Sequence, residues 1–174
     1  MERFKIYNRR YLGSKYKLLE FIEKIVEENT ENSKVFLDLF AGTGVVADYF
    51  NKKYDVVLND LLKCNYFSYE CFFSNLEYDE EKLITIMKKY NQKIIEDNNY
   101  YSENFKDTYL SEKNLKKVGF IRDDIDNLFE KKEINKREKA ILITSLIYAV
   151  DRIANTVGHY DAYRKNGDLE KELI

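Results

Sequence analysis

Leu18, Leu19, Ile22, Ile25 and Val26 recur three and four residues apart between Lys15 and about Glu28, before a polar stretch from Asn29 to Lys34. Apolar side chains at that spacing share one face of a helix, so the pattern predicts a helix ahead of the first strand. Val35-Phe-Leu-Asp-Leu39 then reads as a short β-prone run, Gly42-Thr-Gly44 as a sharp turn, and Val45, Val46, Tyr49 and Phe50 resume the helical period. Asp55-Val-Val-Leu-Asn-Asp60 predicts a second buried-type strand ending in two polar residues. Strand, glycine loop, helix and strand together make a parallel β-α-β unit.

Beyond Asp60 the pattern turns helical. Leu61 to Phe73 is strongly apolar, and Asp79 to Ile95 carries Leu83, Ile84, Met87 and Ile94. Ser111 caps a segment with Leu115, Val118, Ile121, Ile125 and Leu128. A fourth stretch starts at Asn135, takes Glu138 as a capping-box partner and runs through Ile141, Leu142, Leu146 and Ile147. Asp97-Asn-Asn-Tyr-Tyr-Ser102 reads as a polar loop, and Leu169-Glu-Lys-Glu-Leu-Ile174 as the start of a further element. Two strands are too few for a self-sufficient parallel sheet. The expected fold is therefore α/β: an incomplete Rossmann-like sheet, parallel β-α-β, with a large helical insertion.

Composition narrows the classes. A charged fraction of 34% beside a hydrophobic fraction of 44% describes a water-soluble globular chain of one domain or one piece of a larger one. The 29 basic and 31 acidic residues nearly cancel, so net charge does not favour nucleic acid, although a local basic face remains open. Cys64 and Cys71 are the only cysteines and His159 the only histidine, too few for a structural zinc site or a disulfide framework, so no metal is expected. No apolar run approaches the ~20 residues that span a bilayer and the start has no cleavable apolar core, which points away from membranes and to a cytoplasmic protein. The 15 Tyr and 11 Phe accompany a general Lys/Asn/Ile/Tyr bias and say little of function. The absence of any proline removes every motif that needs one.

Three segments carry candidate chemistry. Asp38-Leu-Phe-Ala-Gly-Thr-Gly44 is a strand end followed by glycines that let a ligand approach the backbone; alone it is equally an ordinary glycine turn. Asn59-Asp60 closes the next strand, where a carboxylate can accept from ribose hydroxyls. Arg10-Tyr-Leu-Gly-Ser-Lys15 is a glycine turn with a lysine at the start of the first helix. In this order the three resemble the Dam-like class of DNA adenine-N6 methyltransferases, and the upstream Tyr-x-Gly-Ser-Lys element is what sets that class apart. The resemblance covers the N-terminal portion of the family's domain. It implies a methyltransferase sheet and S-adenosylmethionine as cofactor, held by Tyr11, Gly13 and Lys15, by Asp38, Phe40, Ala41, Gly42, Thr43 and Gly44, and by Asn59 and Asp60. Asp38 and the loop backbone would surround the methionine part, and Asp60 the ribose.

A fourth match, Ala149-Val-Asp-Arg-Ile-Ala-Asn-Thr-Val-Gly-His-Tyr-Asp-Ala-Tyr163, resembles a signature that precedes the catalytic motif in one branch of the family. As residues it reads as a helix breaking at Asn155 to Gly158 and exposing Arg152, Asn155, Thr156, His159, Tyr160, Tyr163, Arg164 and Lys165, a set suited to phosphate and base-edge contacts on double-stranded DNA. A polar helix end with a satisfied histidine is the plainer alternative. The family flips adenine out of the duplex and methylates N6 with an Asp- or Asn-Pro-Pro-Tyr motif. No such motif occurs here, so no catalytic residue is assigned. The expected organisation is a cofactor part over 1–60, a helical target-recognition segment over 61–165, and the start of the remaining catalytic part over 166–174. Such a chain is a truncated or split enzyme, inactive alone and completed by a complementary chain carrying the motif. A non-catalytic DNA-binding or partner subunit is the alternative. A nicotinamide enzyme is disfavoured because Gly-Thr-Gly-Val-Val-Ala lacks the third glycine of that fingerprint.

Overall fold

The structure is a computed structural model that describes residue 6, residues 13–157, residue 160, and residues 162–165, 167–169 and 171–174. Two of the residues singled out above, Tyr11 and His159, lie outside the described residues. The chain divides into two compact units, the first ending at Tyr69 and the second starting at Glu70.

In the first unit a short 3-10 turn, Lys15–Leu18, leads into helix α1, Leu19–Asn29. Strand β1 (Val35–Asp38), helix α2 (Val45–Phe50) and strand β2 (Asp55–Leu58) follow, and the two strands pair in parallel with Val35 opposite Asp55 and Asp38 opposite Leu58. Side chains alternate across a strand, so Phe36 and Val56 face a core of Leu19, Val45, Val46 and Phe50, joined by Ile22 and Val26 of α1. Val35, Leu37 and Val57 point the other way and are about half exposed. The centre is aromatic. Phe36 stacks on Phe50 at 4.4 Å between ring centroids, with Tyr54 tilted against both rings and Tyr49 edge-on to Phe50. Phe50 is 1% exposed, and burying such a ring contributes about 1.5–3 kcal/mol. Leu18 and Ile25 of the α1 pattern face outward. Helix α3, Lys63–Phe73, spans the division between the units.

The second unit is helical: α4 (Glu80–Gln92), α5 (Tyr100–Phe105), α6 (Glu112–Glu130) and α7 (Lys136–Ile153). Its helix starts follow side-chain chemistry. Ser111 accepts the N–H of Asn114, Asp79 that of Lys82, and Asn135 and Glu138 exchange both capping-box bonds. Two differences from the sequence expectation stand out. The polar stretch around Asn99 starts a helix, α5, because the Asn99 side chain accepts from Tyr101 and Ser102 while Ser102 Oγ accepts the Asn99 N–H. And α4 stops at Gln92, leaving Ile94 81% exposed. The described residues of 167–174 form no regular element; Leu173 is buried, its N–H donating to Asn114 Oδ1 at 3.1 Å and its carbonyl accepting from Lys117.

The fold is thus mixed α/β, a two-strand parallel sheet with several helices, and among the described residues no third strand joins that sheet. No helix among them is long and apolar enough to cross a membrane.

Candidate functional site

The loop from Leu39 to Gly44 leaves the C-terminal end of β1 and turns twice through left-handed backbone, at Gly42 (φ 56°) and at Gly44 (φ 82°). A side chain at either position would cost roughly 1–2 kcal/mol, which is why both are glycine. The end of β2 holds the loop from below. Ala41 N–H donates to the Asn59 carbonyl at 3.0 Å, Asn59 Nδ2 donates to the Leu39 carbonyl at 2.9 Å, and Gly42 N–H donates to Asp60 Oδ2 at 2.9 Å. The other Asp60 oxygen accepts Leu62 N–H at 2.9 Å and Asn65 Nδ2 at 3.0 Å. Burial by itself raises the pKa of Asp60, but these donors, with the Lys15 charge behind them, outweigh it and hold the carboxyl below its ordinary value.

Lys15 reaches across from the 3-10 turn. Its ammonium donates to the Phe40 carbonyl at 2.6 Å and stands 3.8 Å from Asp38 Oδ1. That oxygen also takes the Phe40 N–H at 3.3 Å, whereas Asp38 Oδ2 is buried with no hydrogen bond among the described residues. A recess of about 250 Å³ opens here, lined by Gly13, Ser14, Lys15, Phe40, Ala41, Gly42, Thr43 and Val45. Ala41 and Thr43 are buried, while Phe40 is 79% exposed. The structure therefore brings together Gly13, Lys15, Asp38, the whole loop from Phe40 to Gly44, Asn59 and Asp60. Sequence reasoning missed two residues that join them: Asn65, and Tyr69, whose hydroxyl donates to the Gly42 carbonyl at 2.6 Å. The only signal for them was their spacing of four on an apolar helix that follows Asp60.

The stretch after α7 is built differently. Helix α7 ends at Ile153, and the chain turns with Asn155 and Thr156 buried at 7% and 3% exposure. This corrects the expectation that both are exposed. The physical reason is that the Asn155 amide donates to the carbonyls of Thr108 and Arg164, and its N–H to that of Tyr109, so it staples the turn. A side chain on Gly167 would collide with that amide, its Cβ falling 1.7 Å from Asn155 Oδ1. Arg152, Tyr160, Tyr163, Arg164 and Lys165 are exposed as expected. Tyr109, not singled out from sequence, packs on the rings of Tyr160 and Tyr163 and donates to the Tyr160 carbonyl at 2.5 Å. Tyr160 in turn donates to Asp151 Oδ1 at 2.8 Å.

Among the described residues no group of three or more His, Cys, Asp and Glu is placed to hold a metal ion.

A family model described as D12 class N6 adenine-specific DNA methyltransferase matches residues 11–174. The modification methylase LlaI of Lactococcus lactis subsp. lactis is 35% identical over 171 positions, covering 90% of this chain and 27% of the relative. The modification methylase StsI of Streptococcus sanguinis is 38% identical, with 91% and 26% covered, and the type II methyltransferase M.FokI of Planomicrobium okeanokoites 33% identical, with 91% and 27% covered. The chain thus spans about a quarter of the length of these relatives. No solved structure matches it.

Proposed function

Because this chain belongs to the D12 class of N6 adenine-specific DNA methyltransferases, we propose that residues 1–60 supply most of the S-adenosylmethionine site of such an enzyme and that residues 61–165 carry its target recognition. The observation that carries this reading is that Gly13, Lys15 and the loop from Phe40 to Thr43 line one recess, with Asp38 beside the Lys15 ammonium, in the family's own order. The parallel pair β1 and β2 is read as the first part of a Rossmann-like sheet.

The residues fit the cofactor. Asp38 Oδ2, buried and without a hydrogen bond among the described residues, calls for a donor, and the amino group of a methionine moiety is a cationic one. S-adenosylmethionine supplies the electrophilic methyl group when bound. Lys15 fixes the Phe40 carbonyl and balances the charge on Asp38. Asp60 holds the Gly42 N–H and stays ionised, ready to accept from a ribose hydroxyl. Tyr11 and Asn59 complete the proposed set, the latter by holding Leu39. The 174 residues contain no proline, so the Asp- or Asn-Pro-Pro-Tyr group that positions the adenine amino group comes from outside them.

The DNA face is proposed at the end of α7, where Arg152, Arg164 and Lys165 offer cations and Tyr160 and Tyr163 offer ring faces to a DNA strand. His159 belongs to the same stretch, while Asn155 and Thr156 act there by holding the turn rather than by touching DNA. A soluble cytoplasmic enzyme of a restriction-modification system is the setting this reading implies.

Calorimetric titration of the chain with S-adenosylmethionine, and separately with NAD, tests the cofactor assignment. Saturable binding of the first and none of the second is expected. Binding of NAD alone, or of neither, would overturn it.

A further inference from the structure

Asn65 and Tyr69 lie four residues apart on α3, hence on one face of that helix, and both reach the glycine loop. Asn65 is fully buried and donates to Asp60 Oδ1, the carboxylate whose other oxygen holds the Gly42 N–H. Tyr69, 8% exposed, donates directly to the Gly42 carbonyl at 2.6 Å. Gly42 is thus gripped on both sides, its N–H through Asp60 and its C=O by the phenol.

The grip matters because Gly42 is a residue that can let go. A glycine at positive φ reorients the peptide that follows it with little steric resistance. That peptide, Gly42–Thr43, is planar and trans, so its C=O and N–H point in opposite directions. Holding the carbonyl toward Tyr69 therefore aims the Thr43 N–H away from α3. Ala41 and Thr43, on either side, line the recess read above as the cofactor pocket. A phenylalanine at 69 would fill the same space without burying a hydroxyl; the hydroxyl's contribution is to choose one orientation of this peptide.

We infer that Tyr69 is a positioning residue of the cofactor loop, its hydroxyl locking the Gly42–Thr43 peptide against flipping, with Asn65 acting beside it through Asp60. The inference rests on the reading of this loop as the S-adenosylmethionine site, but the lock itself is measurable without cofactor. Neither residue is given a chemical step.

The full chain carrying Tyr69→Phe is the test, with Asn65→Ala as the second variant. Amide hydrogen exchange across residues 39–45 is followed in the free protein, and S-adenosylmethionine affinity by calorimetry. Losing one hydrogen bond to a flexible glycine should speed exchange in the loop by about tenfold and weaken binding about five- to tenfold, with the melting temperature of Tyr69→Phe lowered by only a few degrees because the Gly42 carbonyl loses its donor. Unchanged loop exchange in Tyr69→Phe would refute the lock whatever the cofactor does. Faster exchange with an unchanged dissociation constant would refute the positioning role and leave the cofactor assignment standing. A wild-type chain that binds no S-adenosylmethionine would remove the cofactor assignment, and the positioning role with it, even where the exchange responds. Should Asn65→Ala fail to fold, the Tyr69→Phe result decides alone.

Discussion

Asp38 and Glu138 are both acids drawn inside the protein, one in each compact unit, and the chain treats them in opposite ways. Glu138, 2% exposed near the start of α7, accepts the Asn135 N–H at 2.8 Å, the Asp79 N–H at 3.0 Å and the Lys82 ammonium at 2.8 Å. The starts of α4 and α7 and one lysine meet on a single carboxylate, and both of its oxygens are engaged. Asp38 has a weak 3.3 Å bond from Phe40 N–H and a lysine at 3.8 Å on one oxygen, and no hydrogen bond among the described residues on the other, which is also buried. A buried acceptor without a donor costs about 1–3 kcal/mol. Glu138 engages both oxygens in the fold; Asp38 leaves one of its own without a hydrogen bond among the described residues, at a cost in stability that a bound donor would remove. That difference supports the proposed binding role of Asp38 and sets it apart from the structural Glu138.

Glu138→Ala should show the larger effect. It strips the starts of two helices and leaves Lys82 without its carboxylate, so a loss of about 2–4 kcal/mol is expected, seen as a drop in melting temperature of roughly 5–15 °C. S-adenosylmethionine affinity should not change once the protein is folded; a weakened affinity would break the comparison. The pH dependence gives a second reading of the same site. Burial alone raises the pKa of Glu138, but the Lys82 ammonium and the N–H groups of Asp79 and Asn135 prevail and lower it. A carboxyl lowered on folding stabilises the protein above its unfolded value, about 4.3, and loses that contribution as pH falls through the lower folded value. The stability gap between wild type and Glu138→Gln should therefore be widest near neutrality and close in acid. A gap that widens in acid would contradict the assignment.

Asp38→Asn comes next and should show the reverse signature. Cofactor affinity should fall at least about tenfold, the scale of one hydrogen bond to a charged group, while the melting temperature holds or rises. A melting temperature that drops as in Glu138→Ala would place Asp38 with the structural acids. Lys53→Met should do least. Lys53 bridges Glu23 at 2.6 Å and Glu27 at 3.0 Å on the surface, where screening and side-chain entropy cancel most of the attraction. No measurable change in melting temperature is expected, and a clear loss would mean that exposed pairs contribute more here than the buried cluster argument allows.

Much of this architecture was legible in the sequence, for reasons that differ by element. The strand, glycine turn and helix from Val35 to Phe50 were readable because period and turn chemistry agree locally. The start of α7 was readable because Asn135 and Glu138 are a reciprocal pair within one turn. Helix α5 was not, since Asn98 to Ser102 has no apolar period and its start depends on an amide that also packs against Gly119 and donates to the Lys116 carbonyl. At the candidate site the loop, Lys15, Asp38 and Asp60 came from local motifs. Tyr69 and Asn65 did not, because a phenol and an amide on an apolar helix show their purpose only once α3 lies against Gly42. Asn155 misled for the same reason: a polar side chain at a helix end looks solvent-facing until the carbonyls of Thr108 and Arg164 arrive to claim it.

The contrast between the two acids comes down to where S-adenosylmethionine would bind, and photochemical cross-linking of the labelled compound to the intact chain, followed by peptide mapping, measures that directly. The label should fall on the peptide containing Phe36 to Gly44, with the exposed ring of Phe40 beside the recess. Label instead on the second unit, for instance at the recess of about 470 Å³ lined by Lys93, Asp97, Phe120 and Asp123, would contradict the account.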